Sequence, residues 1–343
     1  MAPKIFITGG TGYIGGTILD TLVTRHPEYE ITALLRREPE GFRQRYPNIK
    51  VVRGDYDSSD LLADCAAAAD VVVHNGNSDH EASLQALLAG LQRRGTLSSP
   101  AFLIHLSGTG IMADWRTPDQ RGKLNPKVWS DISDISAIAN RPVGELHQHT
   151  DAIIHAATRE YGDRVKAAII CPPDIYGPGR GPGRTHSVLL PLYLSEIKKV
   201  GRAFYAGSGE NRRSWVHIED LMKVYLRLVE AAVAGGAGAD WGKEGYYFTS
   251  SQDISQKELA TAAGKILKRL GVIPDEEPQS LPLDQIDSMV PEYGIPHFGH
   301  YFFSSNSRTV ADRAAKLFGY KPTEPSLIES LEADFKVALD KSQ

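Results

Sequence analysis

Residues 4–15 read Lys4-Ile5-Phe6-Ile7-Thr8-Gly9-Gly10-Thr11-Gly12-Tyr13-Ile14-Gly15. An apolar stretch suited to a buried strand runs straight into a glycine-rich turn, and beyond it Ile14, Ile18, Leu19 and Leu22 recur at helical spacing. Strand, turn and helix therefore form one unit. The start of that helix presents free N–H groups and a partial positive charge, and the glycines let the backbone come close to a phosphate, so the unit suits a pyrophosphate. Two registers satisfy the motif, Gly10-x-Gly12-x-x-Gly15 and Gly9-x-x-Gly12-x-x-Gly15. In both, Gly15 lets the helix pack against the strand.

The chain continues in alternation. After Arg25-His26-Pro27, a second strand at Ile31–Leu35 delivers Arg36-Arg37 to its carboxyl end. Dinucleotide sites for NAD usually place an acid there for the ribose 2′-hydroxyl, whereas an arginine pairs with a 2′-phosphate, so Arg36 favours NADP(H), with NAD(H) as the alternative. Val51–Tyr56 reads as a third strand, Ser59-Asp60-Leu61-Leu62 opens a helix, Asp70–Asn77 holds a fourth strand and the segment after it, residues 80–94 read as a helix, and Ala101–Leu106 as a fifth strand. Alternation of this kind predicts a parallel sheet covered by helices on both faces, with ligands beyond the carboxyl ends of its strands.

Gly110 to about Arg141 is irregular and polar, which predicts a functional loop or lid near the substrate. A helix is expected from Val143 to Tyr161 and a sixth strand at Val165–Cys171, stopped by Pro172-Pro173. Gly177–Arg184 is too rich in glycine and proline for regular structure and reads as the crossing into a second lobe; Trp215–Ile218 and a helix over 219–233 return to the first. Ser255-Gln256-Lys257-Glu258 is a capping box, and Ser326–Glu329 lies near the start of the last helix. The expected fold class is α/β, a Rossmann-type doubly wound parallel sheet with a smaller α/β substrate lobe. Residues 1–171 with 215–250 would form the first part, and 172–214 with 251–343 the second.

At 343 residues the chain is long enough for a large core, and a net charge of −4 gives no electrostatic reason to expect nucleic acid or an anionic membrane as partner. Cys65 and Cys171 sit in apolar surroundings and read as reduced thiols, with no metal-ligand spacing. No leader fits before the first strand and no apolar run spans a membrane, so a cytoplasmic protein is expected, acting on a small molecule, with a homodimer allowed.

Several stretches together carry a resemblance: the Gly9–Gly15 turn, Leu106-Ser107-Gly108-Thr109, Pro172-Pro173-Asp174-Ile175-Tyr176-Gly177-Pro178-Gly179, and Ser214-Trp215-Val216-His217-Ile218-Glu219-Asp220. Over nearly its whole length the chain resembles the short-chain dehydrogenase/reductase superfamily, in its extended, epimerase/dehydratase-like branch. The resemblance implies cofactor contacts from Gly9, Thr11, Gly12, Tyr13, Ile14 and Gly15, and from Asp55 against the adenine with Tyr56 beside it. It also implies contacts from Asn75 and Gly76 along the pyrophosphate and ribose, and from Pro172.

Members of that superfamily use a Tyr-x-x-x-Lys pair with a Ser or Thr; the tyrosine exchanges a proton with the substrate, the lysine binds the ribose, and the hydroxyl orients the substrate. Matching Asp151 to the acid that follows the lysine by four puts His147 at the lysine position and Val143 at the tyrosine position. A valine transfers no proton. His147 remains the candidate for cofactor contact and catalysis, since an imidazole titrates near working pH; His149 is the weaker candidate. Thr109 matches the hydroxyl position, for catalysis and substrate contact, with Ser107 nearby. Arg213 matches an arginine that grips the diphosphate of nucleotide-sugar substrates, and Tyr176 is a further substrate candidate. The expected function is an NAD(P)-dependent oxidoreductase acting on a carbonyl or hydroxyl of a small metabolite. The alternatives are a redox-neutral epimerase, isomerase or dehydratase, and a cofactor-binding sensor or scaffold without catalysis.

Overall fold

The computed structural model describes residues 2–340. Lys4–Thr8 (β1), Tyr13–Arg25 (α1), Glu30–Leu35 (β2), Lys50–Arg53 (β3), Ser59–Ala67 (α2), Val71–His74 (β4), Glu81–Arg94 (α3) and Ala101–Leu106 (β5) alternate along the first third of the chain. Gln148–Tyr161 (α4), Val165–Cys171 (β6), Asp174–Tyr176 (β7), Leu189–Val200 (α5), Arg212–His217 (β8) and Ile218–Val233 (α6) follow. Tyr246–Phe248 (β9), Gln252–Ser255 (β10), Gln256–Arg269 (α7), Phe298–Phe303 (α8) and Leu327–Asp340 (α9) complete the principal elements.

The main sheet has seven parallel strands in the order β9-β6-β5-β4-β1-β2-β3. Strands with helices on both faces must be apolar without alternation, and every residue of β4 and β5 is buried. The strand order reverses between β1 and β4, and a crevice for ligands opens beyond the carboxyl ends of strands at such a point. Across it Thr8 pairs in register with His74, whose Nδ1 lies 2.7 Å from Thr8 Oγ1. Burial holds His74 neutral, with its pKa pushed down to about 4, so it is a core histidine anchoring the sheet.

A smaller sheet, in the order β10-β8-β7, has β8 antiparallel to β10 and parallel to β7. Trp215–His217 is the centre of this second sheet: Trp215 packs into a separate core with Tyr176, Tyr193, Leu331 and Phe335, while Val216 and Ile218 bury in the first core. The helix after it returns to the first core. Leu221, Val224, Tyr225 and Leu228 of α6 bury in the first core beside α1. The first core also takes Ala311, Ala314 and Tyr320, and the second takes Ala113 and Trp115, so the two are stitched together.

Three expectations shift. The third strand ends at Arg53, leaving Gly54–Tyr56 beyond the sheet. The helix expected from Val143 begins only at Gln148, because Gly144 and His147 both have positive φ and the segment folds into turns. The stretch 110–141 is not wholly irregular: Trp129–Ser130 pairs with Thr309–Val310, Ile135–Ala139 is helical, and Asp114 Oδ1 accepts the Asn306 N–H at 2.7 Å. The capping box at Ser255 forms with both of its hydrogen bonds. Among the described residues no helix is long and apolar enough to cross a membrane, and neither cysteine is in a disulfide.

Candidate active site

The glycine turn uses the register Gly9, Gly12 and Gly15. Gly9 has φ +72°, and a Cβ there would lie 2.3 Å from the Asn75 carbonyl oxygen; a Cβ on Gly15 would lie 2.3 Å from the Gly9 carbonyl oxygen. Gly10 faces nothing closer than 3.4 Å. The Gly12 N–H donates to Gly9 O at 2.8 Å, and Gly12 caps α1 with no side-chain partner, so the first N–H groups of that helix are not capped by a side chain. Thr11 reaches outward from the turn, while Tyr13 is buried and donates to Gly177 O at 2.6 Å; Ile14 is half-buried. The Gly177–Arg184 segment does more than cross between cores. Arg184 N donates to Thr11 O, Gly183 lies against Thr11, and Arg180 pairs with Asp20 of α1 and Glu219 of α6, which clamps the segment onto the turn.

Beside the turn, a groove of ≈ 830 Å³ runs between Thr11, Gly183, Arg36, Arg37 and Arg53. A second space of ≈ 340 Å³, sharing Thr11 and Arg36, extends past Gly9, Asp55, Tyr56 and Asn77. None of the three arginines is in an ion pair among the described residues; Glu38, which also lines the groove, is engaged by Arg43. Asp55 accepts the Ser58 hydroxyl at 2.8 Å and the Asp57 N–H, which hold its carboxyl below the usual range. The Tyr56 hydroxyl covers Gly76, where a Cβ would come within 2.3 Å of it. Asn75 is buried, with Oδ1 accepting from Tyr225 at 2.6 Å, and its Nδ2 has no partner among the described residues. A buried amide donor left unmatched beside a glycine turn at a helix start is a feature that a bound ligand can satisfy.

At the other end of the crevice, beyond β5, the turn Ser107–Gly110 is gripped from several sides. Thr109 N–H donates to Pro172 O at 3.0 Å, and Ser307 Oγ donates to Thr109 O at 2.8 Å. Ser107 Oγ donates to Asp151 Oδ2 at 3.1 Å, as does Tyr246 Oη. Burial raises the Asp151 carboxyl to about 7. His147 caps α4 in a left-handed conformation, φ 65°, a backbone region in which histidine is several-fold enriched. Its Nδ1 lies 3.0 Å from Asp79 Oδ1 and 3.3 Å from Ser78 Oγ, and a Cβ built on Gly108 would lie 3.0 Å from its Nε2. Burial works to raise the Asp79 carboxyl, but the hydrogen bond and charge of His147 hold it below the ordinary value. His149 is more exposed and turned to the Asp79 carbonyl.

Two candidates lie elsewhere. Tyr176 is buried in the second core with its hydroxyl donating to Pro325 O and accepting from Gln252. Arg213, 4% exposed, is consumed by the protein: Nε and Nη2 meet the two oxygens of Asp174 at 2.6 and 3.1 Å, and Nη1 donates to Tyr301 O and Ser305 Oγ. A guanidinium so held has little left with which to grip a diphosphate. Val143 is 92% exposed. Arg53, Asp79 and Gly183 were not singled out in the sequence. Arg53 is the last residue of β3 and Asp79 lies in the segment after β4, so both sit at carboxyl ends of strands, the position that marks Arg36 and Asn75.

A glycine turn on a helix start at the switch point of a parallel sheet defines a Rossmann-type dinucleotide-binding protein. A profile described as NAD(P)H-binding matches residues 9–134, and that of the NAD dependent epimerase/dehydratase family matches residues 130–241. An oxidase, ucsJ, of an Acremonium species is 31% identical over 97% of this chain and 96% of its own. The dTDP-glucose 4,6-dehydratase of Mycobacterium tuberculosis is 24% identical over 68% of this chain and 70% of its own. Among solved structures, the UDP-glucose 4-epimerase of Thermotoga maritima superposes with a TM-score of 0.65 at 17% identity, covering 99% of this chain and 100% of that one. The dTDP-glucose 4,6-dehydratase of Bacillus anthracis gives 0.64 at 15% identity, covering 100% and 98%. The chain belongs to the NAD-dependent epimerase/dehydratase family of the extended short-chain dehydrogenase/reductase type.

Proposed function

We propose that the protein is an NADP(H)-dependent oxidoreductase acting on a carbonyl or hydroxyl of a small metabolite. The observation that carries this reading is the groove beside the glycine turn, where Arg36, Arg37 and Arg53 stand without an ion-pair partner among the described residues. A 2′-phosphate supplies the charge they lack, and each such charge-assisted bond contributes about 1.5 to 3 kcal/mol. On this reading Gly9, Thr11, Gly12, Tyr13, Ile14 and Gly15 cradle the pyrophosphate at the start of α1, with Asp55 and Tyr56 at the adenine. Asn75 and Gly76 lie along the ribose, and Pro172 at the nicotinamide end.

His147 takes the ribose-binding place of the family lysine, its ring fixed through Nδ1 by Asp79 so that Nε2 faces the Gly108 turn. Thr109 orients the substrate oxygen. Ser107 sits behind it, turned to Asp151, and acts by holding the turn rather than by touching substrate. The bound cofactor supplies or accepts hydride. A cytoplasmic setting suits a chain with two unpaired thiols and no membrane-crossing helix among the described residues.

The redox-neutral reading draws on relatives named as epimerases and dehydratases. The internal engagement of Arg213 weighs against a nucleotide-sugar substrate of the same kind. A screen of aldehydes, ketones and alcohols with reduced or oxidised cofactor tests the proposal. Stoichiometric net consumption of NADPH or formation of NADPH supports it, and product formation with no net change in cofactor would replace it with the redox-neutral reading.

A further inference from the structure

Neither glycine of Gly108-Thr109-Gly110 is required by its backbone, since neither has a positive φ. Both are crowded by side chains instead, Gly108 by His147 and Gly110 by Tyr301 and Leu146. A Cβ on Gly108 would lie 3.0 Å from His147 Nε2, and one on Gly110 would lie 3.0 Å from Tyr301 Oη. Thr109 stands between the two, its N–H and carbonyl both bound, and among the described residues no hydrogen bond engages its hydroxyl. An imidazole and a phenol therefore lie against the two residues that flank Thr109, the phenol coming from the second core.

Tyr301 is firmly placed. Its ring stacks on Phe298 at 4.9 Å and 11°, meets Trp115 edge-on at 6.2 Å, and carries the Arg213 guanidinium 4.9 Å from its centroid. Arg213 is fixed in turn by both oxygens of Asp174. A phenol whose ring faces a fixed guanidinium and whose hydroxyl lies against Gly110, next to Thr109, pairs a tyrosine with a cation where the start of α4 has neither. Resting on the oxidoreductase reading above, we propose that Tyr301 is the proton donor of this enzyme and that Arg213 is its positioning cation.

In the reducing direction a bound reduced nicotinamide would supply hydride to the substrate carbonyl carbon, and Tyr301 would give its O–H proton to the carbonyl oxygen as the π bond opens onto it. The phenolate left behind sits beside Arg213 and is reprotonated from solvent. Burial raises the Tyr301 hydroxyl above its ordinary pKa while Arg213 works to lower it, so the phenol keeps its proton at neutral pH and serves as an acid. The other charged or titratable groups facing it are Asp174 of β7 and Cys171 at the end of β6.

The test compares wild type with Tyr301→Phe, which keeps the stacked ring. Fluorescence titration with NADPH comes first. Absence of binding would overturn this proposal together with the cofactor reading it rests on. The tyrosinate absorbance difference between the two proteins then isolates the ionisation of Tyr301 in the NADPH and NADP⁺ complexes. The positively charged nicotinamide of NADP⁺ should lower the midpoint by about one pH unit or more relative to NADPH. Gly110→Ala, which crowds the hydroxyl away from the turn, should abolish that difference in a protein that still binds cofactor. Equal midpoints in the two wild-type complexes would place Tyr301 away from the reacting atoms and overturn the proposal, leaving the cofactor reading intact.

Discussion

The Asp79 carboxylate lies 3.0 Å from Nδ1 of His147, and this one contact decides which nitrogen of the imidazole faces the crevice. With Nδ1 committed to Asp79, Nε2 is the atom presented to the Gly108 turn. His147→Gln should weaken NADPH binding by about five- to tenfold, the loss of one hydrogen bond, and reduce turnover by about a hundredfold. Asp79→Asn should move both in the same direction by less, because the ring stays but its orientation is released. Unchanged affinity and turnover in both variants would make His147 a cap of α4 and nothing more.

The two glycine registers that the sequence allows separate cleanly by substitution. Gly9→Ala places a Cβ 2.3 Å from the Asn75 carbonyl at a positive φ, and should destabilise the protein by about 1 to 3 kcal/mol. Gly10→Ala meets only Leu19 at 3.4 Å and should leave both stability and cofactor binding nearly intact. Gly12→Val should fold and lose the cofactor, since a Cβ there meets only the Gly9 carbonyl at 3.2 Å and the remaining bulk projects toward the groove. Thermal denaturation with and without NADPH distinguishes the three.

Arg213→Ala leaves Asp174 without its partner in a largely buried place. Breaking a buried pair from one side costs about 3 to 5 kcal/mol, so the variant should be detected first as a loss of stability in urea denaturation. A fully stable Arg213→Ala protein would show that the ion pair is not what fixes this arginine.

The raised Asp151 carboxyl has a definite sign in stability. Its folded pKa, about 7, lies above the ordinary carboxylate value, so the folded state binds the extra proton. Its contribution is complete below the unfolded pKa, near 4, and is lost as pH rises from there through about 7. Asp151→Asn, which cannot ionise, should therefore lose less stability than wild type between pH 4 and 7, with a difference on the order of 2 to 4 kcal/mol by pH 8. Parallel stability profiles for the two proteins would show that Asp151 is ionised in the folded state.

How much of this was legible in the sequence differs between fold and site. The seven-stranded sheet follows from apolar runs separated by helical periodicity, because strands buried on both faces cannot disguise their composition. The second sheet was less visible. Trp215–His217 looks like any short buried strand, and only its partners Asp174 and Gln252, 41 and 37 residues away in sequence, reveal where it pairs. Within the site, Gly9, Arg36 and Thr109 could be placed by their position at strand ends. Arg213 could not be judged, since whether a guanidinium is free or spent depends on Asp174 and Ser305 arriving from distant segments. The expected helix start at Val143 failed because positive φ at His147, a residue with a Cβ, leaves no mark in the sequence.

Direct titration of wild type and Arg36→Ala with NADPH and NADH tests whether the arginines beside the glycine turn read a 2′-phosphate. Wild type should bind NADPH at least about tenfold more tightly than NADH, and Arg36→Ala should lose about ten- to a hundredfold in NADPH affinity with NADH affinity unchanged. Tighter binding of NADH by wild type, or an Arg36→Ala protein with unaltered NADPH affinity, would contradict that assignment.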